Sequence, residues 1–311
     1  MKSSFAALLA ALALVHGQPS PARAGSLSRA ALAKLEKQLR AIAGEGGASY
    51  GIYFKDLSGG KPIRIGADKV MHAASTMKTP VMLEALRRVD AKKMRLNDEL
   101  EVKNEFKSVV DGSPFSMNLD PEVEAALIAR LGQKASVELL TREMIVHSSN
   151  LAANLLLSHL GPASVQRFTN ALGARTVQVR RCLEDPKAYE KGLNNETDAA
   201  GMGAVMEAVR RSRKLSRAAR AKAWEILTGQ TLNEQIPAGL PPESGAIVGH
   251  KTGSISSVQH DAAVVRLRDK REYVLVLLAN DFGANEEGRK RVIEQTRRMS
   301  RAAYEAMSAR R

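Results

Sequence analysis

The chain opens and closes with the same kinds of element, and this restricts its fold more than any single residue does. Residues 26–43 carry Leu27, Leu32, Leu35 and Leu39 near helical spacing, which predicts an amphipathic helix. Strand-like stretches follow at 49–56 and 62–65, joined by Ser58, Gly59 and Gly60 as a hairpin turn. A mostly helical middle runs from about residue 75 to 229. Strand patterns return at 246–253, 258–267 and 272–279, with Asp269-Lys270 as a short turn, and a terminal helix starts near Asn285. The simplest packing puts both chain ends in one α/β part, about 25–70 and 235–311, against an all-helical part at about 71–234. The junction between such parts is a favoured place for a cleft. At 311 residues, 44% hydrophobic and 26% charged, the composition is that of an ordinary globular protein with a sizeable core. No repeat, low-complexity tract or linker marks a further domain.

The first 24 residues have a different character. Lys2 gives a positive start, residues 5–15 are apolar, and Ala22-Arg23-Ala24 places small residues around a cut, the layout of a secretory signal peptide. The apolar run is too short to span a bilayer, and no later segment is long and apolar enough to do so. The expectation is an exported protein, periplasmic or secreted, that does not span the membrane. Cys182 is the only cysteine, so an internal disulfide and a multi-cysteine metal site are both excluded. The formal charge is +14, and removing residues 1–24 takes away Lys2 and Arg23 and no acid, leaving +12. Such a balance raises the question of nucleic acid. Aromatics are only 4%, basic residues are spread along the chain, and no nucleic-acid-binding motif is present, so no nucleic-acid partner is expected. The basic segment 289–311 carries Val292, Ile293, Met299, Ala302, Ala303 and Met307 on one helical stripe, as a terminal helix with a solvated face would.

Three short words can carry chemistry. Ser75-Thr76-Met77-Lys78 opens a helical run at 77–89, and residues three apart share a helix face, so hydroxyl and amine can meet. A serine hydroxyl is a weak nucleophile until a base takes its proton, and a lysine made neutral by burial or a neighbouring cation can serve. The spacing alone says little, since Ser58-Gly59-Gly60-Lys61 repeats it in a turn. Ser148-Ser149-Asn150 lies between helical runs at 137–147 and 151–159; it reads either as a helix cap or as a proton carrier, Ser148, beside a carbonyl-gripping amide, Asn150. Lys251-Thr252-Gly253-Ser254 follows an apolar strand start. It reads either as a strand ending in a turn or as a cation that holds a substrate carboxylate and keeps Lys78 neutral. In the second reading Thr252 and Ser254 add hydroxyls, and a strand N–H joins that of Ser75 as an oxyanion hole. The three occur in order, on the elements their roles require, and on both sides of the expected cleft.

Together they resemble the class A β-lactamases and related penicillin-recognising serine hydrolases, over nearly all the chain beyond residue 24. The words are His72-Ala-Ala-Ser-Thr-Met-Lys-Thr-Pro-Val-Met82, His147-Ser-Ser-Asn-Leu-Ala-Ala-Asn-Leu-Leu-Leu157 and His250-Lys-Thr-Gly-Ser254, with Gly239-Leu240-Pro241 and His260-Asp261 in support. The resemblance implies an α/β sandwich with an antiparallel sheet beside an all-α subdomain. It implies attack of Ser75 on an amide, an acyl-enzyme and its release by water, with no metal or other cofactor. The water is activated in such β-lactamases by a glutamate on a loop, which here is the segment 180–195. Glu184 is the best candidate, with Asp185 and Glu190 as nearby competitors; its proline comes one residue late, and Ala188 stands where the family has asparagine. Ser149 replaces a usual aspartate, and Ile255 a usual small residue. The expected substrate is a β-lactam or a cell-wall peptide. The alternatives are a D-alanyl-D-alanine carboxypeptidase-like enzyme and a non-catalytic cell-wall binding protein of the same fold. Oligomeric state is not legible, with a monomer favoured.

Overall fold

The computed structural model describes residues 25–309, so the segment read as a signal peptide lies outside the described residues. Among the described residues a five-stranded antiparallel sheet is built from both ends of the chain. Its strands are β1 (Ser49–Asp56), β2 (Ile63–Ile65), β3 (Ile247–Ile255), β4 (Val258–Arg266) and β5 (Glu272–Asn280), in the spatial order β2-β1-β5-β4-β3. β1 and β5 pair from Ser49 opposite Asn280 to Asp56 opposite Tyr273. β3 is therefore an edge strand, paired only to β4.

Successive side chains of a strand point to opposite faces, and β5 fills both. Tyr273, Leu275 and Leu277 pack with Leu35 and Leu39 of α1 (Arg29–Ala43) and with Val292, Met299 and Met307 of α8 (Glu286–Ser308). Val274, Val276 and Leu278 turn the other way, into the helical core. A strand covered on both faces needs no polar alternation, which is why 273–279 reads as a continuous apolar run. The stripe expected on α8 is buried from Val292 to Met307. The first helix starts later than the sequence pattern suggests, because the Ser28 hydroxyl accepts the Ala31 N–H at 3.1 Å and caps it.

The middle of the chain holds α2 (Lys78–Asp90), α3 (Val137–Val146), α4 (Asn150–Leu160), α5 (Pro162–Ala171), α6 (Ala199–Arg211) and α7 (Arg217–Thr228). Residues 78–86 of α2 are all buried, so this helix is surrounded rather than amphipathic. Three small antiparallel pairings lie among these helices and were not expected: Glu99–Glu101 with Lys134–Ser136, Phe106–Lys107 with Pro114–Phe115, and Met71–His72 with Glu196–Thr197. Strands of two or three residues are too short to show a period. Cys182 is buried, with its thiol pushed up by desolvation, which makes it an inert packing group. No helix among the described residues is long and apolar enough to cross a membrane.

Candidate active site

Ser75 sits in a single 3₁₀ turn, Ala74–Met77, that runs into α2. The helix proper begins at Lys78, one residue later than the pattern of apolar residues predicts. The turn is tied down on several sides. The Ala73 N–H donates to the Asn195 carbonyl at 2.9 Å, the Ala74 N–H to His72 Nδ1 at 3.0 Å, and the Thr76 hydroxyl to the Ala73 carbonyl at 2.6 Å. Behind it, buried His260 donates from Nε2 to the His72 carbonyl and accepts the Ala279 N–H at Nδ1; burial holds its pKa at about 4, so it is neutral. These bonds fix Ala74 at φ +44°, an uncommon conformation for a residue with a side chain.

Lys78 is fully buried, and its Nζ lies 3.1 Å from Ser75 Oγ. It is also 2.6 Å from the Ser148 carbonyl, 2.7 Å from Asn150 Oδ1 and 3.3 Å from Ser148 Oγ. Burial pushes its pKa well below that of an ordinary lysine, and the Lys251 charge pushes it the same way; Glu124 and Glu184 oppose the shift. The shift favours the deprotonated amine, a form that keeps two protons and gains a lone pair. The two closest acceptors, Ser148 O and Asn150 Oδ1, take the protons, which leaves the lone pair for the Ser75 hydroxyl.

Ser148 occupies the left-handed region at φ +60° just before α4. Its hydroxyl oxygen lies between the two lysines, 3.0 Å from Lys251 Nζ on the far side. Ser149 caps α4 by accepting the Ala152 N–H at 2.9 Å, so this word is both a helix cap and part of the site. Asn150 links the lysine to the loop, since its Nδ2 donates to Glu184 Oε1 at 2.9 Å.

Lys251 is buried, and desolvation lowers its pKa to about 7, with Asp261 opposing. Besides Ser148 Oγ it donates to the Thr252 carbonyl, at 2.9 Å, and among the described residues no carboxylate is bonded to it, Asp261 being paired with His250. Gly253 brings β3 against the nucleophile. A Cβ there would lie 3.1 Å from both the Ser75 and the Thr76 nitrogens, closer than such contacts normally fall. The Ser254 hydroxyl donates to Gln259 Oε1 on β4 at 2.9 Å.

On the 180–195 loop, Asn154 of α4 clamps Leu183 by accepting its N–H at 2.7 Å and donating to its carbonyl at 2.9 Å. The next residue, Glu184, takes φ +59° and turns its carboxylate to Asn150. Asp185 does structural work instead. It accepts from the Ser108 hydroxyl, the Val109 N–H and the Ala188 N–H at 2.9, 3.0 and 3.1 Å, capping the short helix Pro186–Glu190. Glu190 lines neither cavity beside Ser75 and Asp185 is taken up in these bonds, so of the three loop carboxylates Glu184, held by Asn150 through Oε1, is the one that faces both cavities. The Ala188 methyl is fully buried and offers no polar atom to a water.

Ser75 stands between two cavities. One, of about 320 Å³, is bounded by Asn118, Glu124, His147, Ser148 and Thr252. The other, of about 390 Å³, is more apolar and is bounded by Leu183, Pro186, Tyr189 and Ile255. The site thus gathers Ser75, Lys78, Ser148, Asn150, Glu184, Lys251, Thr252 and Ser254 around one cleft. Two functional groups escaped the sequence reading, Glu124 and Asn154. For Asn154 there was a signal, a polar residue inside the apolar run 151–157; Glu124, one of three acids in 120–124, has nothing that sets it apart. A hydroxyl beside a proton-poor amine, a second hydroxyl between two lysines, and a strand edge at the nucleophile are parts that acyl transfer can use.

Comparison with known proteins gives a consistent result. A family model described as the Beta-lactamase enzyme family matches residues 34–307. A β-lactamase of Streptomyces lavendulae is 29% identical over 252 residues, covering 78% of this chain and 77% of its own. One of Rhodobacter capsulatus is 26% identical over 272 residues, covering 85% and 83%. The crystal structure of a β-lactamase from Burkholderia vietnamiensis superposes with a TM-score of 0.73 at 24% identity, covering 89% of this chain and 97% of that one.

Proposed function

The chain belongs to the β-lactamase enzyme family, and from that premise we propose that it opens β-lactam rings through an acyl-enzyme on Ser75. The observation that carries this reading is the buried, proton-poor amine of Lys78 at 3.1 Å from the Ser75 hydroxyl. Ser75 Oγ attacks the lactam carbonyl carbon as its proton passes to the Lys78 lone pair. The carbonyl oxygen becomes an oxyanion, held by the Ser75 N–H and an N–H of β3. The C–N bond then breaks, and the ring nitrogen takes the proton of the Ser148 hydroxyl, which Lys78 replaces. Lys251, with Thr252 and Ser254, holds the carboxylate of the substrate, and Asn150 holds its side-chain amide carbonyl. In the second half Glu184 takes a proton from water, the hydroxide adds to the ester carbonyl, and Ser75 leaves with a proton returned to it.

The signal-peptide layout of residues 1–24 supports action outside the cytoplasm, periplasmic or secreted, where a β-lactam-opening enzyme would protect its host from these antibiotics. A second reading has one observation in its favour: the buried Ala188 methyl leaves Glu184 and Asn150 to orient the water with no further partner from that helix. In that case the protein is a D-alanyl-D-alanine peptidase, acylated by penicillins and slow to release them.

The test is the intact mass of the protein over time after adding a penicillin. A Ser75-dependent adduct that appears and clears while hydrolysed drug accumulates is the expected result. Persistence of the adduct would move the function to the peptidase. Neither adduct nor hydrolysed drug with the wild-type protein would overturn both, leaving a binding protein of this fold.

A further inference from the structure

Glu124 is a buried carboxylate at the floor of the cleft, and among the described residues no basic side chain is bonded to it. Taking a carboxylate out of water is costly unless donors surround it. Here three donors do: the Ser149 hydroxyl at 2.5 Å on one oxygen, and the Asn150 and Leu151 N–H groups at 2.6 and 3.1 Å on the other. The last two are the first free N–H groups of α4, an eleven-residue helix whose positive end favours a negative charge. The donors are therefore the very residues that follow Ser148 and include Asn150. The segment carrying Glu124 is itself anchored, since Asn104 accepts the Met117 N–H and donates to its carbonyl, both at 2.9 Å.

We propose that Glu124 is the positioning residue of the site: its carboxylate locks residues 149–151, holding Ser148 in its left-handed backbone with the hydroxyl between the two lysines and Asn150 turned toward Lys78. The left-handed conformation at Ser148 persists only if its surroundings over-determine it. Glu124 supplies that constraint directly after the strained residue, and the Ser149 N–H to the Glu143 carbonyl, at 3.1 Å, is the other tie. A second effect follows from charge. The charges acting on Lys78 are Lys251, which lowers its proton affinity, and Glu124 and Glu184, which raise it. Removing the charge of Glu124 therefore shifts Lys78 titration to lower pH. The Ser149 hydroxyl touches the carboxylate, so an acid placed at residue 149 puts its charge in the same pocket.

This inference rests on the acyl-transfer reading for its kinetic arm and is independent of it for its titration arm. Wild type, Glu124→Gln, Ser149→Asp and the double variant are compared by the rate of penicillin adduct formation across pH, and by NMR titration of the Lys78 side chain, assigned with Lys78→Arg. The expected loss for Glu124→Gln is roughly tenfold to a hundredfold in acylation rate, with the acid limb and the Lys78 titration both moved to lower pH. Ser149→Asp alone, which faces two carboxylates together, loses activity; in the Glu124→Gln background it restores rate and titration. A merely structural role would leave the Lys78 titration unmoved and would not be rescued by an acid at 149. Wild-type rate and titration in Glu124→Gln overturn the proposal. Absence of any adduct on wild type would sink the acyl-transfer reading, and the Lys78 titration then decides about Glu124 by itself. If Glu124→Gln does not fold, the double variant decides: a wild-type Lys78 titration supports the proposal, and a shifted one in a folded protein overturns it.

Discussion

Lys78 and Lys251 face each other across the Ser148 hydroxyl, at 3.3 and 3.0 Å from its oxygen. Both are buried, and the Lys251 charge adds to burial in lowering the proton affinity of Lys78, so in the proposed active form Lys78 is the proton-poor amine and Lys251 the cation. The signs follow for pH. Activity rises as Lys78 loses its proton, because the base must be neutral, and falls as Lys251 loses its own near its pKa of about 7. The expected profile of kcat/KM, which reports the free enzyme, is a bell with an alkaline limb falling from about pH 7. Lys251→Arg keeps the charge at every pH measured and removes that limb; an identical limb in this variant would show that another group titrates. The sequence made five of these side chains legible, Ser75, Lys78, Ser148, Asn150 and Lys251, because each sits in a short word whose spacing fits its element. Glu184 was already the best candidate of three loop carboxylates in the sequence, and the backbone turn at φ +59° shows how it differs from its neighbours in direction. Glu124 stayed hidden because its partners lie 25 to 27 residues further on.

β3 brings its Lys251-Thr252-Gly253-Ser254 word to the nucleophile only because residue 253 lacks a side chain. Gly253→Ala forces the strand and the 3₁₀ turn apart by a few tenths of an ångström. That displaces the β3 N–H from the oxyanion and is expected to cost roughly tenfold or more in kcat/KM. Circular dichroism and melting temperature should change little, because the strand's pairing with β4 is on its other edge. A fully active variant would place the oxyanion donors elsewhere. The strands of the main sheet were readable from sequence to within two residues, since long apolar runs and turn residues bound them. The 3₁₀ turn at Ser75 was not readable, because its form is imposed by His72, Asn195 and β3, all distant in sequence or supplied by another element.

Across the whole molecule, the sheet and the helical part meet through apolar packing and a mostly buried ion pair. Arg210 of α6 grips Glu272 of β5 with bonds of 2.6 to 3.1 Å and lies 4.8 Å over the Trp224 ring of α7. Both charged side chains are mostly buried, at 22% and 16% exposure, so the pair is worth more than a surface bridge. Arg210→Ala leaves the Glu272 charge uncompensated and is expected to lower stability by about 1–3 kcal/mol. Differential scanning calorimetry would read this as a melting temperature lower by a few degrees, with the acylation rate retained. No change in melting temperature would mean that the pair contributes nothing net. The two-part plan was legible in the sequence because the chain's ends share one kind of pattern; the pairing of β1 with β5 was not, since strand order leaves no mark on either strand. That pairing has a consequence for the chain's history. Synthesis proceeds from the first residue onward, so Tyr50, Ile52 and Phe54 of β1 emerge long before Val274 and its neighbours exist to flank them. The sheet cannot close until β5 has been made, across a loop of more than two hundred residues by the register of its strands, and such distant pairing slows folding. The export proposed above requires a chain that stays unfolded on the way, and this connectivity would supply the delay.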